Sequence, residues 1–75
     1  MNFDLSDLRA FVTVAQLGSF RAAAQSLHVS QPALSRRVDK LEQALGMRLF
    51  ERSTRKVELN AMGRAFLPRA QHVLS

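Results

Sequence analysis

Residues 19–46, SFRAAAQSLHVSQPALSRRVDKLEQALG, contain two helical patterns separated by a short turn. Ser19 is a suitable N-cap for a first helix over residues 20–27, and the alanines in that segment allow another helix to approach closely. The turn follows at residues 28–30, and the second helical pattern begins directly after it. This arrangement predicts a helix-turn-helix over about residues 20–39, within a mainly α fold.

The second helix of the motif has an apolar stripe and a polar outer face. Ser30 caps it, Pro32 lies in its first turn, where the missing N–H breaks no intrahelical bond, and Gly46 can end it in the left-handed conformation. The apolar positions recur at helical spacing: Leu34, Val38, Leu41 and Leu45. The outward positions include Gln31, Pro32, Ser35, Arg36 and Asp39. Hydrogen-bonding groups therefore gather at the helix end that enters the major groove of DNA in this motif.

The length and charge of the chain limit the possible functions. Its 75 residues suffice for one small domain with a few helices. It carries 11 basic and 6 acidic side chains, and residues 36–56 alone hold seven positive charges against three negative ones. Such a basic half is typical of a domain whose partner is a polyanion. Since the sequence has no cysteine, a disulfide framework and a thiolate metal site are excluded.

The N-terminal segment predicts a further helix that completes a three-helix core. Asp4 and Asp7 have the spacing of a helix cap, and Gly18 can end the helix. The apolar residues between them follow helical spacing: Leu5, Leu8, Phe11, Val12 and Ala15. The segment lacks the basic start of a signal peptide and the long apolar run of a membrane span, so we expect a cytoplasmic protein with no membrane association.

Two short alternating segments after the second helix predict a two-stranded hairpin. Residues 49–52 and 57–59 alternate apolar and polar side chains, and residues 53–56 between them are polar, as in a hairpin tip. We expect the core side to carry Phe50, Val57 and Leu59, and the tip to carry Arg52, Arg55 and Lys56. The alternative is a solvated turn with ordinary surface charges. Directly after a helix-turn-helix, the hairpin is interpreted as a wing that meets the duplex.

The last segment predicts a helix over residues 61–75, capped by Asn60 and interrupted by Pro68, which should kink it. Its apolar surface exceeds what one small core needs, and the pattern is still running at the last residue. We therefore expect the truncated start of a linker helix that pairs with the same helix in a second copy of the chain. The expected dimer residues are Phe66, Leu67, Ala70, Val73 and Leu74. The alternative is a helix folded wholly onto its own core.

Four short segments carry a likeness to a known family. They are AAA at residues 22–24, VSQPALSR at 29–36, LE at 41–42 and LGMRLFER at 45–52. In these segments and over its whole length, the chain closely resembles the DNA-binding domain of LysR-type transcriptional regulators of bacteria. The resemblance implies a winged helix-turn-helix over residues 3–60, followed by the linker helix.

The resemblance also implies partners. In that family two linker helices pair antiparallel, dimers assemble into tetramers on promoter DNA, and a small-molecule inducer binds a larger effector domain that this chain lacks. We therefore expect a homodimer that binds double-stranded DNA at an inverted-repeat promoter site and controls transcription. We also expect a tetramer for the full-length protein and no cofactor in this fragment.

The residues expected to contact DNA come from the second helix and the wing. The resemblance assigns contacts to Ser30, Gln31, Pro32, Ser35, Arg36, Arg52 and Arg55. Gln31 suits an adenine edge and Arg36 suits guanine, because each can form two hydrogen bonds with its base. Pro32 and Ala33 can pack on a thymine methyl group, while Ser35 can reach a phosphate or a base. Contacts with phosphate are also expected from Ser53 and Thr54, and with phosphate or solvent from Lys40.

Two other classes of function compete with DNA binding as interpretations of the sequence. An enzyme is disfavoured because the serines have no histidine and carboxylate set that so small a helical core could bring together, so we expect no catalytic residue. His28 and His72 have no acidic partner at metal-ligand spacing, and we expect no metal site. A winged-helix module that binds another protein or RNA is the remaining alternative. Such a module would need a second helix whose outer face lacks Gln31 and Arg36, or whose outer face is acidic or apolar.

Overall fold

The computed structural model describes residues 2–52 and 55–75, so the predictions for Ser53 and Thr54 lie outside the described residues. The described part is mainly helical, which confirms the predicted fold class. Its helices are α1 (Leu5–Leu17), α2 (Phe20–Leu27), α3 (Gln31–Leu45) and α4 (Ala61–Leu74).

Local side-chain caps begin the first two helices where the sequence predicts them. At the start of α1, the Asp4 carboxylate accepts from the Asp7 N–H at 3.1 Å, and the Asp7 carboxylate accepts from the Asp4 N–H at 3.0 Å. At the start of α2, the Ser19 hydroxyl oxygen accepts from the Ala22 N–H at 3.0 Å. These bonds satisfy N–H groups that have no partner within the helix.

The turn between α2 and α3 is tight because His28 adopts the left-handed conformation, with φ 58°. The Val29 N–H then donates to the Ala24 carbonyl at 3.0 Å, which closes the end of α2. Ser30 caps α3 by accepting from the Ala33 N–H at 3.2 Å. The predicted helix-turn-helix and the predicted turn are therefore confirmed.

The core lies where α1 crosses the other helices. Phe11 of α1 is fully buried, and its ring centroid lies 5.6 Å from that of Phe50 and 5.6 Å from that of Phe66. The largest other fully buried side chains are Val14, Leu34, Val38, Leu41 and Leu49. Leu5 was expected on the apolar stripe of α1, but it is 58% exposed, because it lies in the first turn beyond the edge of this core.

The two segments after α3 meet as the base of a wing. Phe50 and Leu59 form an antiparallel bridge, and the Glu51 N–H donates to the Glu58 carbonyl at 2.7 Å. Among the described residues this pairing is shorter than the two strands that the alternation predicts. Phe50 is buried, and Val57 and Leu59 are half-buried against the core, as expected.

The start of α4 is fixed against the base of the wing. Asn60 caps α4 by accepting from the Gly63 N–H at 2.8 Å, and its side-chain amide donates to the Arg48 carbonyl at 3.0 Å. A Cβ atom on Gly63 would lie 2.0 Å from the Leu49 carbonyl oxygen. Glycine is therefore required here for the close approach of the two segments. The helix then continues through Pro68 as one element.

Most of the apolar face of α4 packs on the core of its own chain. Ala70 is only 1% exposed, so its side chain has no surface left to offer a second copy, and its assignment to a dimer surface is corrected. Phe66, Leu67 and Leu74 are partly buried against the same core. Val73 is 57% exposed and is the member of the predicted set that faces solvent most fully.

Candidate nucleic-acid interface

An open groove of about 780 Å³ separates α3 from the wing. Gln31, Ser35 and Asp39 follow one another at four-residue spacing along α3 and line one wall of the groove. Arg52 and Arg55 of the wing line the other wall. The groove thus brings together four residues of the predicted site, which are at most 24 positions apart in the sequence: Gln31, Ser35, Arg52 and Arg55. Open space lies between the two walls.

Three further residues of the predicted set lie on the other side of α3. Ala33, Arg36 and Lys40 line a second groove of about 350 Å³, whose opposite wall is the start of α1, including Asp4 and Asp7. Pro32 is exposed in the first turn of α3. The outer face of the helix therefore forms a ridge between two grooves, with the predicted contact residues distributed over both of its flanks.

Several predicted contact residues have side chains without a partner in the described chain. The side chains of Gln31, Ser35, Arg36 and Arg55 make no hydrogen bond or ion pair with another residue in the ranges 2–52 and 55–75. Gln31, Arg36 and Arg55 are also exposed. Their donors and acceptors are therefore free for a ligand, and the three that belong to α3 lie in its first two turns, next to the positive end of the helix dipole.

Lys40 is already paired in the structure. Its Nζ atom lies 3.3 Å from a carboxylate oxygen of Asp7 and 4.0 Å from one of Asp4. Asp7 is buried except for 3% of its surface, so this cation compensates a carboxylate that has little access to water. Lys40 therefore ties α3 to the start of α1, and its contact with phosphate stays a prediction.

Glu42 also belongs to the site, although its role was not predicted from the sequence. It is 4% exposed, and its carboxylate accepts from the Leu49 N–H at 2.8 Å and from the Arg52 guanidinium. A guanidinium nitrogen of Arg48 lies 3.8 Å from the same carboxylate. The available signal was the position of Glu42 four residues after buried Val38, which places it on the apolar stripe of α3.

Other kinds of site are not found in the part of the chain that the structure describes. No group of three histidine, aspartate or glutamate side chains within it could hold a metal ion. None of its helices is long and apolar enough to cross a membrane.

This geometry is shared with a known family. A family model described as bacterial regulatory helix-turn-helix protein, lysR family, matches residues 5–64 of the chain. The match covers all of α1, α2, α3 and the base of the wing. The chain belongs to the LysR family of bacterial regulatory helix-turn-helix proteins.

Individual relatives agree with this assignment. An uncharacterized HTH-type transcriptional regulator in the ibpB-leuC intergenic region of Azotobacter vinelandii is 53% identical over 72 residues, which are 96% of this chain and 50% of that protein. The BenM DNA-binding domain in complex with catB site 1 DNA superposes with a TM-score of 0.90 at 40% identity, covering 96% of this chain and 80% of that chain. Full-length OxyR from Pseudomonas aeruginosa, as a point variant, gives a TM-score of 0.91 at 47% identity over 96% of this chain and 24% of that one. The chain thus spans half of the first relative and about a quarter of full-length OxyR.

Proposed function

We propose that this chain is the DNA-binding domain of a transcriptional regulator and that it reads double-stranded DNA in a sequence-specific way. In this proposal the N-terminal half of α3 enters the major groove, and the wing meets the backbone or the adjacent minor groove. The observation that carries it is the set of unpaired side chains on the first turns of α3, of which Gln31 and Ser35 face the wing arginines across an open groove. The likeness to a DNA-binding domain in complex with DNA supports it.

Each unpaired side chain suits a different contact. Gln31 can form two hydrogen bonds with adenine, and Arg36 can form two with guanine, so these residues select bases. The exposed ring of Pro32 and the half-buried Ala33 can pack on a thymine methyl group. Arg55 of the wing meets phosphates, which fixes the orientation of the domain but carries no sequence information.

Selection from a random duplex pool tests this function. The chain is mixed with the pool, bound duplexes are recovered and amplified over several rounds, and the enriched sequences are read. We expect enrichment of an inverted repeat whose half-sites are about one helical turn apart, or a multiple of it. A pool that stays random after repeated rounds would contradict sequence-specific binding.

The partners of the longer protein form the second part of the proposal. We infer that α4 opens a linker helix through which two chains pair, and that the longer protein forms tetramers on a promoter. The exposed apolar side chains of Met62 and Val73 on α4 support a pairing surface. The remaining length of the relatives supports an effector domain that binds a small-molecule inducer. A bacterial regulator of this kind acts in the cytoplasm, where the chromosome lies.

An RNA- or protein-binding module is not favoured by the same observations. The outer face of α3 is neither acidic nor apolar, since Gln31, Ser35 and Arg36 dominate its first turns. The named relatives are transcriptional regulators, which also disfavours an enzyme.

A further inference from the structure

The buried carboxylate of Glu42 joins the two elements that would hold DNA. It projects from α3, near the end of that helix away from Gln31, and accepts from the backbone and from a side chain of the wing segment. One oxygen accepts from the Leu49 N–H, and the other accepts from Arg52 and lies 3.8 Å from Arg48. A carboxylate removed from water in this way needs all of its partners, because an unpaired buried charge is strongly destabilising.

Arg52 stands between this carboxylate and the groove. One of its terminal nitrogens donates to Glu42, while the residue as a whole stays exposed and lines the groove together with Gln31, Ser35 and Arg55. Guanidinium is planar and has five donors in a fixed arrangement. A bond on one side of the group therefore fixes the direction in which the remaining donors point.

We propose that Glu42 is a positioning residue, which holds the guanidinium of Arg52 so that its free donors meet a DNA phosphate. This inference rests on the proposed function. Glu42 itself does not touch DNA, because it is only 4% exposed and is not among the residues that line the groove. It also keeps the wing at a fixed distance from α3, so that base reading by Gln31 and phosphate binding by Arg52 occur in one register.

The proposal predicts an effect opposite in sign to that of simple electrostatics. Replacing Glu42 with Gln removes a negative charge from a chain whose net charge is already +5, which by itself strengthens attraction to DNA. Loss of positioning weakens binding instead. The glutamine amide also places its N–H₂ against a donor from Leu49 or Arg52, so it cannot satisfy both partners of the carboxylate.

A double-mutant cycle on DNA binding tests the inference. The dissociation constants of wild type, Glu42→Gln, Arg52→Ala and the double variant are measured by fluorescence anisotropy on a labelled duplex of random sequence, because phosphate contacts do not depend on sequence. We expect Glu42→Gln to weaken binding about tenfold in the wild-type background, the scale of coupling between residues in contact. In the Arg52→Ala background the same change should weaken binding by clearly less than tenfold, because only the contribution of the Leu49 bond to the position of the wing remains.

Glu51→Gln is the matched control for charge. Glu51 is adjacent to Arg52 and exposed, and its side chain has no partner among the described residues, so it loses the same charge without the positioning bond. We expect it to bind DNA as tightly as the wild type or more tightly. Tighter binding by Glu42→Gln, or equal weakening by Glu42→Gln in both backgrounds, would overturn the inference.

Thermal unfolding followed by circular dichroism shows whether Glu42→Gln is folded at the assay temperature. If it is unfolded, Arg52→Lys tests the same inference by a second variant. Lysine keeps the charge but cannot hold a carboxylate and a phosphate with one planar group. We expect weaker binding, whereas wild-type affinity would overturn the inference. A wild type that binds duplex without coupling between Glu42 and Arg52 contradicts only this inference; a wild type that fails to bind duplex removes the proposed function as well.

Discussion

At the scale of single residues, the cations near α3 differ in the partners that they already have. Arg36 makes no ion pair within the described chain, whereas Lys40 lies 3.3 Å from Asp7 and Arg52 is bonded to Glu42. An unpaired guanidinium can give two parallel donors to a base edge, while a paired one must share its donors. We therefore expect Arg36 to select bases, and the paired residues Lys40 and Arg52 to orient the contacts with the DNA backbone.

Arg36→Ala should reduce affinity for the selected duplex by about 1–3 kcal/mol and relax the preference at one base position. Arg37→Ala is the matched control, since it removes the same charge from the next residue of α3, which lines the groove against α1. We expect Arg37→Ala to weaken selected and random duplexes equally. Anisotropy titrations of both variants on both duplexes measure this, and an equal loss on both duplexes for Arg36→Ala would show that Arg36 contacts only the backbone.

The helices and their ends could be predicted at the scale of elements, because their signals are local. The caps at Asp4, Ser19 and Ser30 depend on a hydrogen bond to a residue three positions away, and each forms in the structure. Glu42 could not be assigned in this way. Its role depends on Leu49 and Arg52, which reach it only after the wing has folded back onto α3.

The packing of α4 could likewise not be predicted from the sequence pattern. An apolar stripe indicates that a helix face is covered, but not whether its own core or a second chain covers it. Ala70 is buried by its own chain, while Val73, three residues later, stays largely exposed. The contact between α4 and the wing at Gly63 was also missed, since a glycine inside a helix carries no sign of a close neighbour.

Gly63→Ala should destabilise the chain by about 1–3 kcal/mol, the usual range for a side chain forced into filled space. The added Cβ would lie 2.0 Å from the Leu49 carbonyl oxygen, so α4 or the base of the wing must move. Gln71→Ala, at an exposed polar position of the same helix, is the control and should change stability little. Urea unfolding followed by circular dichroism measures both variants. A Gly63→Ala variant as stable as the wild type would mean that α4 does not approach the wing this closely.

At the scale of the whole molecule, pairing through α4 must use the surface that the core leaves free. Substituting Leu67 or Leu74 would disturb the core as well, since both are partly buried against it. Val73→Asp should therefore abolish dimers with little loss of stability, because a charge in an apolar contact is unfavourable and Val73 is exposed in the single chain. Leu17→Asp, at an exposed apolar position of α1, should leave dimers intact. Sedimentation velocity over a range of protein concentrations measures both, and dimers that persist in Val73→Asp would exclude this surface.

The net charge of +5 also belongs to the whole molecule, and it leads to the most direct test of DNA binding. The measurement is the dissociation constant on duplex DNA as a function of salt concentration. If about five cationic groups per subunit neutralise phosphates, the logarithm of the association constant should fall against the logarithm of salt with a slope of about −4 to −5 per subunit. A titration that stays nearly flat would contradict the account, because it would mean that the wing and α3 do not lie against a phosphate backbone.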